Sequence, residues 1–274
     1  MNTEANLDEL FHHYFEVVLA DSPEKVQACY RIRYKVYCEE GLIPGFDVKN
    51  YPEGLEQDEY DERSAHCLLI HKPTKRVAGT VRIVLPAFSN TENIKFPLEI
   101  HAGNSFYKNR IPLEKLPRNR IGEISRLILT SEFRARRGES LHPHGVAEDF
   151  EASLTARERR QGSPPQDINE RRSNTPRRVF PHPILGLFVA IIRMSLQQNL
   201  AYWYGGMEPV CARFLRTFGI NFIPISPIVD YFGPCKSYIG PISDIMENIH
   251  RTNRQVWDLL TDRGVLLSAP KQDD

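Results

Sequence analysis

The stretch RVAGTVRIVLP, residues 76–86, reads as a β-strand with a charge in its middle. Val81, Ile83 and Leu85 share one face by alternation, and Thr80, Arg82 and Val84 share the other. Apolar neighbours on both sides of Arg82 mark a central strand rather than an edge. The same anomaly recurs in IGEISRLILT, residues 121–130, where Glu123 and Arg126 interrupt an apolar strand. Earlier, Ser22-Pro23 offers an N-cap and a first-turn proline for a helix. Its periodicity groups Val26, Tyr30, Arg33 and Tyr37 on one side, with Arg31 and Lys35 pointing away. Between helix and strand runs EQDEYDE, bringing Glu56, Asp58 and Asp61. Charges embedded in apolar elements stabilise poorly, so several that can satisfy one another across the fold point to a site.

Two readings of these charges stand side by side. In one, the acids of the 56–61 loop are solvated; in the other, they converge on Arg33 and Arg82 and hold the loop as a pocket wall. Glu123 and Arg126, three apart, face opposite ways in an ideal strand and share a face only through a bulge. A carboxyl beside apolar groups has a raised pKa, which suits Glu123 to accept a proton; an ordinary structural ion pair is the alternative. Arg134, Arg136 and Arg137 follow the strand end, either as a solvated turn or as a grip for pyrophosphate or an acidic protein surface.

Outward from this core, CLLIHK and RVAGTVRIVLP make a hairpin across Pro73-Thr74-Lys75. Residues 7–19 open the chain as a helix or strand, and residues 41–64 form a loop. From Pro183 the pattern gives a helix to Gln198, a strand LAYWYG, a helix from Pro209 to about Thr217, and a strand NFIPIS. YFGPCKSYIG follows as a strand pair, and a terminal helix capped by Ser243 runs to about Gly264. Antiparallel strands followed by a βαβ-like half describe one mixed α/β domain over residues 1–274. Residues 137–178, rich in Arg, Pro, Ser and Glu, read as a mobile insertion.

With 35 basic and 35 acidic residues among 274, no global field favours nucleic acid or a membrane surface. The apolar run Ile184–Ile192 is too short to span a bilayer and reads as a buried helix. The N-terminal residues lack a secretory pattern, and five cysteines without a C-x-x-C pair suit free thiols in the cytoplasm. No phosphate-loop, dinucleotide, zinc-protease or nucleophile-elbow motif occurs. The histidines have no metal spacing.

Taken in order, R-x-x-x-Y (Arg33, Tyr37), E-x-D-x-x-D (Glu56, Asp58, Asp61), G-T-V-R (Arg82) and E-x-S-R (Glu123, Ser125, Arg126) resemble a known signature. It is that of the acyl-homoserine-lactone synthase and N-acyl amino acid synthase branch of the GNAT acyltransferases. The chain as a whole is most similar to the acyltransferases associated with PEP-CTERM/exosortase systems. The resemblance implies a twisted mixed sheet with a V-shaped cleft that holds an acyl-phosphopantetheine thioester, and no bound cofactor or metal. It implies acyl transfer from an acyl carrier protein, or less naturally coenzyme A, to a small amine, with Glu123 and Arg82 catalytic. Arg33, Tyr37, Asp58, Asp61, Ser125 and Arg126 would form the acceptor wall, an arginine gripping an acceptor carboxylate by two parallel bonds. Arg134, Arg136 and Arg137 would serve the carrier or phosphopantetheine. Three departures stand out: Gly41-Leu42-Ile43-Pro44 stands near the place of the Trp of lactone synthases, Arg137 replaces a glycine of the pyrophosphate loop, and the Arg-rich excursion interrupts the helix expected after that loop. The alternatives are a lactone synthase using S-adenosylmethionine and a non-catalytic carrier- or lipid-binding module.

Overall fold

The computed structural model describes residues 6–43, 45–89, 92–108, 111–134, 146–147, 179–231 and 233–268. The opening segment is both elements in turn: α1 (Leu7–Tyr14) runs directly into β1 (Phe15–Leu19). Ser22 caps α2 (Pro23–Tyr34) by accepting the Lys25 N–H, and a π-helical turn, Lys35–Glu39, continues it. After the loop come β2 (Ser64–His71) and β3 (Arg76–Val84), the expected hairpin. A small hairpin, β4 (Ala87–Ser89) and β5 (Glu92–Ile94), leads to the short helix α3 (Pro97–Ala102), then β6 (Ile121–Leu129).

Two-residue strands β7 (Val146–Ala147) and β8 (Val179–Phe180) pair with each other; the rest of the expected 137–178 insertion lies outside the described residues. Helix α4 (Pro183–Gln197) precedes β9 (Tyr202–Met207), and α5 (Pro209–Arg216) precedes β10 (Ile223–Pro224). Strands β11 (Val229–Asp230) and β12 (Pro234–Pro241) follow, so Tyr231 and Gly233 of YFGPCKSYIG stand between the strands rather than in one. The expected single terminal helix is two, α6 (Ile242–Thr252) and α7 (Arg254–Thr261). Asn253 leaves helical geometry and its side chain accepts the Val256 N–H, a fresh N-cap in mid-segment. Pro241, not Ser243, precedes the first of the two; the Ser243 hydroxyl binds Asp244 instead.

The main sheet is eight-stranded, in the order β1-β2-β3-β6-β9-β12-β10 with β11 beside β12. Neighbours are antiparallel except β6 and β9, joined in parallel across α4, the expected βαβ unit. One face packs on α4, whose Ile184–Ile192 run is buried as expected, together with α1, α6 and α7. A Cβ on Gly186 would lie 2.5 Å from Leu69 Cδ1 and 2.8 Å from Phe11 Cζ, so a larger residue there would push both side chains aside. The opposite face carries α2 over β2 and β3, and α3 over β9. No described helix is long and apolar enough to cross a membrane.

One irregularity shapes the site. Arg82 pairs with Ser125 and Thr80 with Ile128, leaving Val81 opposite both Arg126 and Leu127. This is a bulge, and Arg126 takes the left-handed conformation at φ 52°. Pairing with β9 stops just before it, at Ile124 and Gly205, although β9 runs on to Met207 against β12. The parallel pair therefore splays from the bulge onward.

Candidate active site

Arginines from three elements meet the acidic loop at that splay. Arg33, fully buried at the end of α2, donates Nε to Glu56 Oε2. Its Nη1 and Nη2 bind Asp61 Oδ1 and Oδ2 at 2.7 and 3.0 Å. Arg82 grips Asp58 the same way, at 2.5 and 3.0 Å, adds Asp61 Oδ1 at 2.7 Å, and gives Nε to Ser125 Oγ at 2.9 Å. Arg126 donates Nε and Nη2 to Glu56 and Nη2 also to Asp58 at 3.0 Å. Its guanidinium lies 5.6 Å from the rings of Tyr37 and Phe46, themselves stacked at 4.7 Å.

The loop braces itself as well: Asp61 Oδ2 accepts the Asp58 N–H, and the Tyr30 carbonyl accepts the Glu56 N–H. Burial works to raise the Glu56, Asp58 and Asp61 carboxyls. The hydrogen bonds and charge of Arg126, Arg82 and Arg33 outweigh it and hold all three below the usual range. Three cations and three anions thus close a neutral network. The bulge performs the step that regular alternation forbids, bringing Arg126 to the face of Arg82, Ser125 and Glu123.

Glu123 stands apart from this network. It pairs with Tyr204 across β6 and β9 and is 3% exposed. Its one hydrogen bond among the described residues comes from the Leu98 N–H, at 2.9 Å, in the first turn of α3. Burial pushes its carboxyl up to about 7, despite relief from that N–H and from Arg82. A group that titrates near neutrality can take up and give back a proton. Sequence reading missed Leu98 as its anchor, although Pro97 after Phe96 signals a helix start.

A cavity of about 220 Å³ occupies the splay. Tyr37, Ser125 and Arg126 line it on the charged face, Gly205 and Gly206 between the strands, and Phe188, Leu215 and Phe222 on the α4 face. It therefore passes through the sheet, with Ser125 and Arg126 among the apolar Leu42, Ile43 and Ile128 at one end and an apolar wall at the other. Phe188 comes from α4, Leu215 from α5 and Phe222 from the turn after it. Arg134 reaches back to Glu40, which also accepts from Ser131, and so ties the end of β6 to the π-helical turn. Arg136 and Arg137 lie outside the described residues. All five cysteines are free, and among the described residues no cluster of three or more metal-ligating side chains occurs.

Residues 32–143 match the family model described as Acetyltransferase (GNAT) domain. No curated protein sequence gives a significant match. Among solved structures, TofI in a ternary complex with an inhibitor and MTA aligns at 13% identity and TM-score 0.51, over 86% of this chain and 96% of that one. FeeM, an N-acyl amino acid synthase from uncultured soil microbes, aligns at 11% identity and TM-score 0.50, over 87% and 98%. At these identities the likeness is one of fold. With residues 32–143 carrying the signature of a GNAT acetyltransferase domain, the chain is an acyltransferase of the GNAT fold.

Proposed function

We propose that the protein transfers a fatty acyl group from the phosphopantetheine thioester of an acyl carrier protein to the amine of an amino acid or similar small acceptor. The observation that carries this reading is the cavity through the sheet, with an apolar end walled by Phe188, Leu215 and Phe222 and a charged mouth at Ser125 and Arg126. An acyl chain suits the first end and a polar acceptor the second. In this reading the thioester lies in the splay with its chain towards α4. The acceptor amine attacks the thioester carbonyl carbon; the C–N bond forms, the C–S bond breaks, and the pantetheine sulfur leaves as thiolate. Glu123 takes the proton lost by the amine, directly or through one water. Arg82 and the acidic loop keep β6 and the acceptor wall in place. The carrier protein as donor, a cytoplasmic setting and a link to PEP-CTERM/exosortase systems belong to the same proposal.

The experiment is mass spectrometry of lipid extracts from cells expressing the protein, beside cells expressing Glu123→Gln. A new N-acyl amino acid, absent with the variant, supports the reaction and identifies acceptor and chain length together. If purified protein forms no amide from acyl-carrier thioester and a full set of amino acids, the reading is wrong. Release of methylthioadenosine from S-adenosylmethionine would replace it with the lactone synthase, and thioester binding without transfer with the carrier-binding module.

A further inference from the structure

Glu123 depends on a helix that has little of its own to hold it. Leu98, whose N–H bonds Glu123 Oε2, is the second residue of α3, which is six residues long. The N-cap, Phe96, has no side-chain oxygen to close the first turn. Glu99 closes it instead, by accepting the Phe96 N–H at 2.9 Å. Arg118 holds Glu99 in turn: its Nη1 bonds Oε1, and its Nη2 bonds Oε2 at 2.5 Å. The same Nη2 donates to the Ile94 carbonyl at 2.9 Å, and the guanidinium lies 4.4 Å from the centre of the Phe96 ring. Arg118 belongs to the short turn Arg118–Arg120, which runs straight into β6, the strand of Glu123. One guanidinium thus fastens the first turn of α3 to the start of β6, and the Leu98–Glu123 bond joins the same two elements.

Resting on the acyltransfer reading, we infer that Arg118 and Glu99 are positioning residues for Glu123, fixing the N–H that orients the base and setting the charge it faces from α3. Burial does most to raise the Glu123 carboxyl; the Glu99 charge adds to it, while the Leu98 N–H, Arg82 and Arg126 oppose it. Tyr204 on β9, Tyr231 after β11, and Tyr60 and Arg63 before β2 also face Glu123. Of these groups, Glu99 alone belongs to the element that donates Glu123's hydrogen bond. Arg118 binds both Glu99 oxygens, so it offsets the charge and fixes the cap together. The two side chains keep 18% and 19% of their surface and line an open hollow with Tyr204. Solvent there moderates the charge, so the expected shifts are small.

The test uses the full chain with isotope-labelled glutamate carboxyls, the NMR signal of Glu123 being assigned by its loss in Glu123→Gln. Its pH midpoint is read directly, without catalysis, beside the pH profile of kcat/KM for amide formation. Glu99→Gln keeps an oxygen for the Phe96 N–H but removes the charge, and should lower the proton affinity of Glu123 ~3-fold. Arg118→Gln leaves the Glu99 charge without its cation and should raise that affinity by a similar factor. Arg118→Lys restores a cation and should bring the midpoint back towards wild type. The acid limb of kcat/KM should move with the midpoint in each variant. Midpoints that stay at the wild-type value in folded Glu99→Gln and Arg118→Gln overturn the inference. So do shifts of both in one direction, which mark a loosened helix rather than a charge. Should Arg118→Gln not fold, Glu99→Gln decides alone. Midpoints that move as expected while the kcat/KM profile stays fixed uphold the pair's hold on Glu123 and overturn Glu123 as the base. If no amide forms at all, the midpoints still decide the pair while the reaction falls.

Discussion

Glu56 and Glu123 are equally sealed glutamates on the same side of the sheet, and their carboxyls behave in opposite ways. Glu56 lies between Arg33 and Arg126, whose hydrogen bonds and charge overcome its burial and keep it ionised. Glu123 has one backbone N–H, from Leu98, and burial wins, leaving it near 7. Burial alone therefore says nothing about a carboxyl's charge; the number of ionic donors in contact decides. The first arrangement makes a rigid wall and the second a group able to exchange a proton at neutral pH.

The largest test of this contrast removes the wall's centre. Arg33→Ala strands Glu56 and Asp61 without their shared cation, and a stability loss of ~3–5 kcal/mol is expected in denaturant unfolding. A loss below ~1 kcal/mol would show that the arginine's role is not structural. Glu123→Gln should act the other way. Activity should fall by ~10²–10⁴-fold, while stability at pH 8 rises by as much as about 3 kcal/mol, because native Glu123 with its pKa of about 7 no longer resists ionisation. At pH 4, where the carboxyl is protonated folded or unfolded, the two proteins should match.

The pH dependence separates the two glutamates further. Glu123, raised in the fold, lowers stability as pH climbs from about 4.5 to about 7. Glu56, Asp58 and Asp61, lowered in the fold, contribute stability that is fully present above their unfolded values and lost as pH falls through their folded ones. Unfolding free energy followed from pH 3 to 8 should rise and then decline. A curve that climbs all the way would remove Glu123 from its assigned state. In the same window kcat/KM should increase through about pH 7 as the base ionises.

Smaller effects belong to the two ends of the cavity. Phe222→Leu opens its apolar end and should shift preference towards longer acyl groups, ~10-fold or more per methylene. An unchanged chain-length profile would take Phe222 out of the acyl wall. Glu40→Gln leaves Arg134 without its partner at a half-exposed position, worth less than ~1 kcal/mol in thermal unfolding.

The amino-acid order already carried most of the elements. Alternation around Arg82, the Ser22-Pro23 start of α2 and the apolar run of α4 are local patterns, and each element formed where they pointed. The convergence of Arg33, Asp58, Asp61 and Arg82 was one of two readings that the sequence left open, and the tertiary structure decided for it over solvated loop acids. Asn253 shows where local reading fails, since a cap in mid-segment splits a periodicity that continues across it. Three facts belonged to the tertiary structure alone. The bulge at Arg126 is a property of register between β3 and β6, invisible in either strand. The splay it starts makes the cavity from residues far apart in sequence, Tyr37, Phe188 and Phe222 among them. And whether a sealed carboxyl keeps its charge, as Glu56 does and Glu123 does not, depends on how many cations surround it, which only packing in three dimensions decides.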